Sequence, residues 1–379
     1  MKKLIPVLFL IAIASCGEKG NSEKSKSDNI LEDLTFSVDT VVVDSKDEII
    51  DLKFGMRWFD LSSNKKSLFL YDYQQILFQE IDLDKMVLNH SYPFEKEGPN
   101  GLGRSSYFQI LPDGTLMIPT YPNSGIYNLQ GEMLSKINLN PDDIEGIDAG
   151  NPYALVYEIL IDPNTGMLYS LPGDFIKAIR ELAVIDPKSN SGKMIALPEM
   201  DKSANFRIFW NSEKGGSIQT ENYSLSLIHD KLFITNTAAS GIYIYDPKAD
   251  SLEYVDFPHK IIPKEKSGTI RNEVSTEGDF WEELKKVGEQ ISYKELNWDE
   301  KSSRFYRFAS KSFFGEKRGD PAKYENYLLV YDQELNLLGE SKLNGVDQRL
   351  SEYFWKDGKL YSYVNVEDEL GFAVFTFNF

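Results

Sequence analysis

Short apolar runs separated by turn residues repeat along most of this chain. The segment His229–Phe257 shows the pattern most clearly, with runs at Leu232–Thr235, Ile242–Tyr245 and Leu252–Phe257 that are bounded by Gly, Asp, Pro and Ser. The runs are too short for helices and are rich in β-branched and aromatic residues, which favours strands. The sequence therefore predicts an all-β protein built from small antiparallel units.

A polar residue ends the central strand of each unit, and these residues are Asp82, Asn128, Asp186, Asp246 and Asp332. They follow one another at intervals of 46, 58, 60 and 86 residues. A period near 50 residues with four short strands is typical of a propeller blade, because stacking small sheets around an axis buries both faces of each sheet. We predict a β-propeller with six blades. Seven blades is the alternative count, and a pair of β-sandwiches is the alternative architecture.

Two β-rich runs lie at the ends of the predicted domain. Phe36–Val43 has no partner nearby in the sequence, and Gly371–Phe379 ends the chain. Pairing the two in one blade would remove two exposed strand edges. We therefore predict that Phe36–Val43 supplies a strand to the last blade, and that one propeller domain covers residues 35–379.

The long last interval contains an insertion, which we place at residues 258–310. Asp279 and Glu282 have the spacing of a capping box at a helix start, and the following residues favour a helix over 279–291 between blades four and five. One face of this helix is apolar, at Phe280, Leu284, Val287 and Ile291. The helix either covers apolar surface only or forms a lid or partner-binding element beside the axial channel.

The N-terminus has the parts of an export signal, with Lys2 and Lys3, an apolar run from Leu4 to Ile13, and small residues before Cys16. The lone cysteine directly follows Ala14-Ser15, which resembles the lipobox of bacterial lipoproteins. The resemblance implies that Cys16 carries the lipid. An ordinary signal peptide with an incidental cysteine is the alternative.

This interpretation makes residues 1–15 a signal peptide and residues 16–34 a flexible, polar tether. Removal of residues 1–15 takes away two lysines, so the net charge of −18 becomes −20. Such acidity argues against nucleic acid and against an anionic membrane surface as partners. No second segment is long and apolar enough to span a bilayer. We expect membrane attachment through lipid on Cys16, in the bacterial cell envelope, either on the periplasmic side or on the cell surface.

The segment from Pro93 to Gly114 places Gly-Pro and further glycines between an outer strand and the next blade. This is similar to the linkers of six-bladed bacterial propellers related to the NHL class. Together with the lipobox, the repeat resembles uncharacterised propeller lipoproteins of Bacteroidetes. That family has a domain of unknown function, so the resemblance implies a fold and a location but no catalytic positions.

No catalytic motif is present in the sequence. The histidines His90, His229 and His259 share no metal-ligand spacing, and there is no nucleophile-elbow pattern. The acidic loop at 140–150 lacks the spacing of a calcium loop, which favours a solvated loop. We therefore predict no catalytic residue, no metal and no cofactor.

Arginines beside apolar inner-strand positions are the candidates for ligand binding in so acidic a chain. A channel-facing guanidinium binds an anionic group through two hydrogen bonds, and an aromatic ring at the channel mouth stacks a sugar or a side chain. Pairing with neighbouring acids is the alternative role of the arginines. The predicted ligand-binding residues are Arg104, Arg207, Trp210, Arg304 and Arg307.

We predict a lipid-anchored binding protein of the cell envelope that holds a small ligand or a protein partner at the axial face of the propeller. The first alternative is an envelope hydrolase or lyase that acts on glycan or peptide, which needs carboxylates, a histidine or a metal at the axial mouth. The second alternative is a structural platform without a small-molecule ligand.

Overall fold

The computed structural model describes residues 29–102, 107–120, 124–148, 150, 154–174, 177–212 and 215–379. Within this part of the chain, six antiparallel sheets follow one another in sequence; five have four strands in blade order, and the third has a short fifth strand in addition. The chain is a six-bladed β-propeller, as the repeat predicted.

Strands are numbered in chain order, and the first, β1 (Thr35–Val42), belongs to the last blade. Blade one contains β2 (Phe59–Leu61), β3 (Ser67–Asp72), β4 (Leu77–Asp82) and β5 (Val87–Pro93). Blade two contains β6 (Gln109–Ile110), β7 (Leu116–Ile118), β8 (Gly125–Tyr127) and β9 (Met133–Lys136). Blade three contains β10 (Ile159–Ile161), β11 (Leu168–Ser170), the short additional strand β12 (Gly173–Asp174), β13 (Ile179–Asp186) and β14 (Ser191–Ala196).

The remaining three blades have longer strands. Blade four contains β17 (Tyr223–Ile228), β18 (Lys231–Asn236), β19 (Ile242–Asp246) and β20 (Ser251–Val255). Blade five contains β22 (Ser292–Asp299), β23 (Arg304–Phe313), β24 (Lys323–Tyr331) and β25 (Leu337–Lys342). Blade six contains β26 (Tyr353–Lys356), β27 (Lys359–Val366), β28 (Glu369–Asn378) and β1.

The repeated polar residue has a structural reason. It stands at the end of the third strand of its blade, where its side chain closes the turn to the fourth strand. The Asp82 carboxylate accepts the backbone N–H of Asp84 at 3.0 Å, and the Asp246 carboxylate accepts that of Lys248 at 2.9 Å. Asp and Asn favour such turns because their short side chains bond to the backbone two residues later.

The ring closes through the two ends of the domain. Strand β1 pairs with β28 in antiparallel register, from Thr35 opposite Asn378 to Val42 opposite Gly371. The predicted pairing of Phe36–Val43 with the C-terminal run is confirmed. The edge of each run is thereby covered by the other.

Each gap between neighbouring blades holds an apolar core with side chains from both blades. Pairs of core residues from successive blades are Phe78 with Leu116, Met117 with Leu168, Tyr169 with Leu232, Phe233 with Phe305, Phe308 with Trp355, and Phe372 with Leu68. Burial between blades is the main stabilising contribution, because each small sheet has two apolar faces to cover.

The inner strand of every blade begins at the end that we call the upper face, where the connections between blades also lie. The hairpins between first and second strands, and between third and fourth strands, lie at the opposite end, the lower face. Neighbouring inner strands contact one another around the axis, as β22 does with β17 and β26. These strands line an axial channel with an upper and a lower mouth.

Two excursions from the repeat lie on the upper face. The first follows blade three and contains a 3₁₀ helix (Pro198–Phe206), β15 (Ile208–Ser212) and β16 (Gly215–Gln219). The second follows blade four and contains β21 (Glu273–Val274) and helix α1 (Glu277–Gly288). They are joined because β15 pairs with β21 in parallel, and α1 packs on β15.

The helix lies between blades four and five, as predicted, but its bounds differ from 279–291. Its N-cap is Thr276, whose hydroxyl oxygen accepts the backbone N–H of Asp279 at 3.1 Å, so the helix begins two residues earlier. The interruption of the repeat ends at Ile291 rather than at residue 310. Residues 292–310 form β22 and most of β23 of blade five.

Residues 29–34, which the sequence analysis placed in the tether, lie against blade five. The backbone N–H of Ile30 donates to the carbonyl of Leu338 in β25 at 3.0 Å, and Leu31 is fully buried. In the described residues, no helix has the length and apolar character needed to cross a membrane. Cys16 and the predicted signal peptide lie outside the described residues.

Candidate functional site

A polar pocket of about 260 Å³ opens on the upper face between blades four and five, beneath the second excursion. We call it the upper pocket. Its lining comes from the beginnings of β17, β22 and β24, the ends of β18 and β23, and helix α1. Three cationic side chains, Lys266, Lys294 and Arg349, and one acidic side chain, Glu221, line it.

Two of these charges neutralise each other. The Lys266 ammonium lies 2.6 Å from a carboxylate oxygen of Glu221, and both side chains are buried. The Thr237 hydroxyl donates to the second oxygen of the same carboxylate. Because Lys266 and Glu221 neutralise each other, neither charge is available to a ligand. The pair forms part of the pocket wall.

The other two cations are unpaired. Among the described residues, neither the Lys294 ammonium nor the Arg349 guanidinium has a hydrogen-bond or ion-pair partner. Burial lowers the pKa of Lys294; the charge of Glu295 opposes this shift, and the charges of Arg349 and Lys266 add to it. An anion in the upper pocket would restore a favourable environment for the protonated amine.

A β-bulge presents Lys294 to the upper pocket. In the register of β22 against β23, Tyr293 lies opposite Ala309 and Leu296 lies opposite Arg307, so Lys294 and Glu295 together face a single residue. Bulges re-aim side chains and are frequent beside functional sites. Here the bulge interrupts the alternation of the innermost strand at the mouth of the channel.

Arg307 holds this bulge and does not line the channel. Its side chain is fully buried, and its Nε donates to the Lys294 carbonyl at 2.5 Å. The same guanidinium donates to the carbonyl of Ser240 in blade four and lies 5.0 Å from the ring centre of Tyr293. The sequence-based expectation that Arg307 binds a ligand is corrected: it cross-links blades four and five behind the pocket.

Hydroxyl groups make up most of the remaining polar lining of the upper pocket, from Thr220, Thr237, Ser292, Ser310, Ser312 and Tyr324. The outer wall is apolar and is formed by Leu284, Val287 and Phe314. Gly288 lets the helix approach Phe314, because an added Cβ would lie 2.5 Å from the phenyl ring. A small anion with a hydroxylated or apolar body matches this lining.

Two carboxyl groups with raised pKa values lie at the inner strands of blades one and three. Asp60 in β2 accepts the backbone N–H of Ile110 in β6 at 2.8 Å, and burial raises its pKa to about 6. Burial also raises the pKa of Glu158 to about 7, with Arg180 opposing the shift and Glu295 adding to it.

A second polar pocket, of about 390 Å³, lies at the lower mouth and is called the lower pocket. Its lysines are Lys65, Lys301 and Lys356, and each has a partner. The Lys65 ammonium donates to the Trp298 carbonyl at 3.2 Å, and that of Lys301 donates to the Asp357 carbonyl at 3.1 Å. Lys356 lies 2.8 Å from Asp84 and 2.5 Å from Asp357.

The structure does not bring the predicted ligand-binding residues together. Arg207 and Trp210 lie on the first excursion, where Arg207 is 3.9 Å from Glu273 and Trp210 packs against Phe280. Arg304 lies at the lower end of β23, with its guanidinium 5.6 Å from the ring centre of Phe379. Arg104 and Cys16 lie outside the described residues.

The sequence analysis missed Lys294 and Arg349. It placed residue 294 in an insertion, which concealed the inner strand of blade five. One signal was available: Ile291 and Tyr293 alternate with polar residues, and the alternation resumes one position out of phase at Leu296 and Trp298. Such a slip indicates a bulge.

The family model "Domain of unknown function (DUF4221)" matches residues 27–342. The structure is similar to that of a DUF4221 member from Bacteroides vulgatus, at 14% sequence identity and a TM-score of 0.66, covering 91% of this chain and 98% of that chain. No curated protein matches the sequence at a significant level.

Two further solved structures are less similar. One is a Bacteroides fragilis protein that is described, provisionally, as exported, at 10% identity, 90% and 95% coverage and a TM-score of 0.47. The other is the extracellular domain of a provisionally described one-component system of Bacteroides thetaiotaomicron, at 12% identity, 84% and 33% coverage and a TM-score of 0.42. The Bacteroides vulgatus structure supports the fold, and none of the three supplies a ligand.

Proposed function

The chain belongs to the DUF4221 family, and we propose that it is a binding protein that holds a small anionic ligand in the upper pocket. The supporting observation is that the half-buried Lys294 and the exposed Arg349 line one pocket, together with several hydroxyl groups, and have no hydrogen-bond or ion-pair partner among the described residues. The chain carries a net charge of −18. In so acidic a protein, two partnerless cations in one concave site are best explained by an anion that both contact.

The geometry favours a small ligand over a polymer. The upper pocket is about 260 Å³, and α1, Phe314 and the Lys266–Glu221 ion pair bound it. An extended anion such as nucleic acid would meet the acidic remainder of the surface, which repels it. The ligand class is therefore a small metabolite that carries a carboxylate, phosphate or sulfate group.

Titration calorimetry with glutarate, phosphate and sulfate tests this proposal. The double variant Lys294→Gln/Arg349→Gln removes both open charges, and we expect a loss of affinity of about tenfold or more, since a charge-assisted hydrogen bond contributes about 1.5–3 kcal/mol. The double variant Lys65→Gln/Lys356→Gln at the lower pocket is the matched control, with unchanged affinity expected. Equal losses in the two double variants, or no binding of any anion to the wild type, would refute the proposal.

We also propose that the protein is anchored in the bacterial cell envelope by lipid on Cys16. The support is the sequence alone: the charged and apolar segments before Ala14-Ser15, and the position of the only cysteine. Feeding cells an alkyne-labelled fatty acid tests this. Label is expected on the wild type and not on Cys16→Ala, and label that persists on the variant would contradict the anchor.

A further inference from the structure

We propose that the ligand of the upper pocket is a hydroxylated anion of the sugar class, a monosaccharide that carries a carboxylate or phosphate group. This inference rests on the proposed function and extends it from a small anion of any kind to one whose body bears several hydroxyl groups. It follows from a row of side-chain hydroxyl groups on one face of the blade-five sheet.

The hydroxyl row consists of Ser292 in β22, Ser310 and Ser312 in β23, and Tyr324 in β24, and all four residues line the upper pocket. Ser292 lies directly opposite Ser310, and Ser312 lies directly opposite Tyr324. Residues that face each other across antiparallel strands have their side chains on the same face, and so do residues two positions apart on one strand. The row therefore extends over three strands, which are about 4.8 Å apart, and is about 10 Å wide.

The face of β23 that carries the row changes character where the pocket begins. Tyr306 and Phe308 precede Ser310 and Ser312 with the same two-residue spacing, and they lie in the apolar core between blades five and six. A continuation of that apolar face would match an apolar ligand. The change to serine inside the pocket instead favours a ligand with polar groups on its body.

The hydroxyl groups of the row are free to bond to a ligand. None of the four has a hydrogen-bond partner in the described part of the chain, and all four side chains are half-buried. Serines of other blades show the contrast, because the Ser67 hydroxyl donates to the Glu80 carboxylate at 2.8 Å and the Ser170 hydroxyl donates to the Leu155 carbonyl at 3.1 Å.

The acidic group of a ligand does not need this row. The ammonium of Lys294 and the guanidinium of Arg349 together carry about eight N–H donors, whereas a carboxylate accepts about four hydrogen bonds. A hydroxyl group both donates and accepts, so a hydroxylated body can use the row in both directions. At about 260 Å³ the upper pocket has room for one sugar unit rather than a chain of them.

The strand that ends the row also positions the segment before Arg349. The side-chain amide of the buried Asn326 donates to the carbonyl of Gln348 at 2.8 Å, and the backbone N–H of Tyr324 donates to the carbonyl of Asp347 at 2.9 Å. Strand β24 thus holds the backbone immediately before Arg349, whose side chain is exposed. Binding groups that are held on one sheet reduce the entropic cost of binding.

The test compares probes of similar size and charge with and without hydroxyl groups: glucuronate and galacturonate with cyclohexanecarboxylate, and glucose 6-phosphate with hexyl phosphate. Titration calorimetry on the wild type, Ser310→Ala/Ser312→Ala and Lys294→Gln/Arg349→Gln gives the affinities. The matched control is Ser226→Ala/Ser341→Ala, which removes two half-buried strand hydroxyls outside the pocket. Thermal unfolding of each variant verifies that it is folded.

We expect at least one sugar acid or sugar phosphate to bind the wild type about tenfold or more tightly than its partner without hydroxyl groups, since each ordinary hydrogen bond contributes about two- to tenfold. In Ser310→Ala/Ser312→Ala the affinity for that sugar falls about fivefold or more, and the affinity for its partner is unchanged. The control variant binds both as the wild type does, and Lys294→Gln/Arg349→Gln weakens both.

The outcomes that would overturn the inference are distinguishable. If the probes with and without hydroxyl groups bind the wild type equally, or if the serine substitutions weaken both alike, while binding depends on Lys294 and Arg349, only the sugar class is refuted. If no probe binds the wild type, or if binding survives in Lys294→Gln/Arg349→Gln, the proposed function fails together with this inference. The wild-type comparison needs no variant, so it decides even if a substitution disturbs folding.

Discussion

The two mouths of the channel hold similar kinds of side chains in different states of pairing. The lower pocket is the larger, at about 390 Å³ against about 260 Å³, and it has three lysines. Each of those lysines bonds to a carbonyl or a carboxylate of a neighbouring hairpin. At the upper pocket only Lys266 is paired, and Lys294 and Arg349 have no partner among the described residues.

The difference shows that neither the volume of a pocket nor its number of charged side chains is enough to identify a binding site. At the lower mouth, Lys65 of blade one reaches the Trp298 carbonyl of blade five, passing the hairpin of blade six, so its charge joins the blades at the channel end. At the upper mouth, a β-bulge that is held by the buried Arg307 presents Lys294, which forms no ion pair. A half-buried lysine and an exposed arginine that line one pocket without a protein partner can both contact an anion there.

The largest expected effect comes from removing the support of the bulge. Arg307→Met leaves the carbonyls of Lys294 and Ser240 without their donor, and we expect a loss of unfolding free energy on the order of 2–6 kcal/mol, about 1–3 kcal/mol for each carbonyl. Arg304→Met, nearer the lower end of the same strand, is the matched control and should cost under about 1 kcal/mol. Urea unfolding measures both, and equal small losses would contradict the role given to Arg307.

The comparison can be sharpened by converting a paired cation into an open one. Glu221→Gln leaves the buried Lys266 without its counter-charge, so we expect a loss of stability of about 3 kcal/mol. The same variant should bind anions several-fold more tightly, because the upper pocket gains a third open cation. Urea unfolding and calorimetry measure the two effects. Unchanged stability together with unchanged anion affinity would show that the pairing of Lys266 does not matter.

At the lower pocket, a paired cation can be removed instead. Lys65→Met removes the bond to the Trp298 carbonyl, and we expect a loss of about 1 kcal/mol of unfolding free energy, the contribution of one ordinary hydrogen bond. Affinity for anions at the upper pocket should not change. A fall in anion affinity in Lys65→Met would indicate that the lower mouth takes part in binding.

The smallest expected effect is a dependence on pH. Burial raises the pKa of Glu158 to about 7, so its carboxyl is mostly protonated at pH 6 and mostly ionised at pH 8. Ionisation adds a negative charge near the axis, with Arg180 opposing its effect, so affinity for an anion in the upper pocket should fall about two- to threefold from pH 6 to pH 8.

Glu158→Gln isolates this contribution, because the variant lacks the carboxyl group whose pKa lies between the two pH values. Calorimetry at the two pH values should show a fall in anion affinity in the wild type and a smaller fall in the variant. Parallel pH profiles would exclude Glu158 from the site.

Much of the fold could be predicted because it follows from local pattern. The Asp82 and Asp246 turns are specified within four residues, and the pairing of β1 with β28 follows from two edges that each needed a cover. The helix was found from its apolar face, but its start was misplaced because Asp279 has the chemistry of a cap, whereas Thr276 supplies the N-cap.

The site could not be predicted in the same way. An arginine on an inner strand can face the channel or the gap between blades, and Arg304 and Arg307 differ only in their position along β23. Lys294 was hidden because its exposure depends on a one-residue slip in register against β23. Arg349 lies in a connection between blades, where position is set by tertiary contacts that the local sequence does not encode.

The central claim is that open cations at the upper mouth, and not paired cations at the lower mouth, make the binding site. The most direct measurement is an anomalous-scattering map from a crystal of the protein soaked in selenate, in which both mouths are observed together. We expect a selenium peak between the Lys294 ammonium and the Arg349 guanidinium, and none among Lys65, Lys301 and Lys356. A peak at the lower pocket, or no peak at the upper one, would contradict the claim.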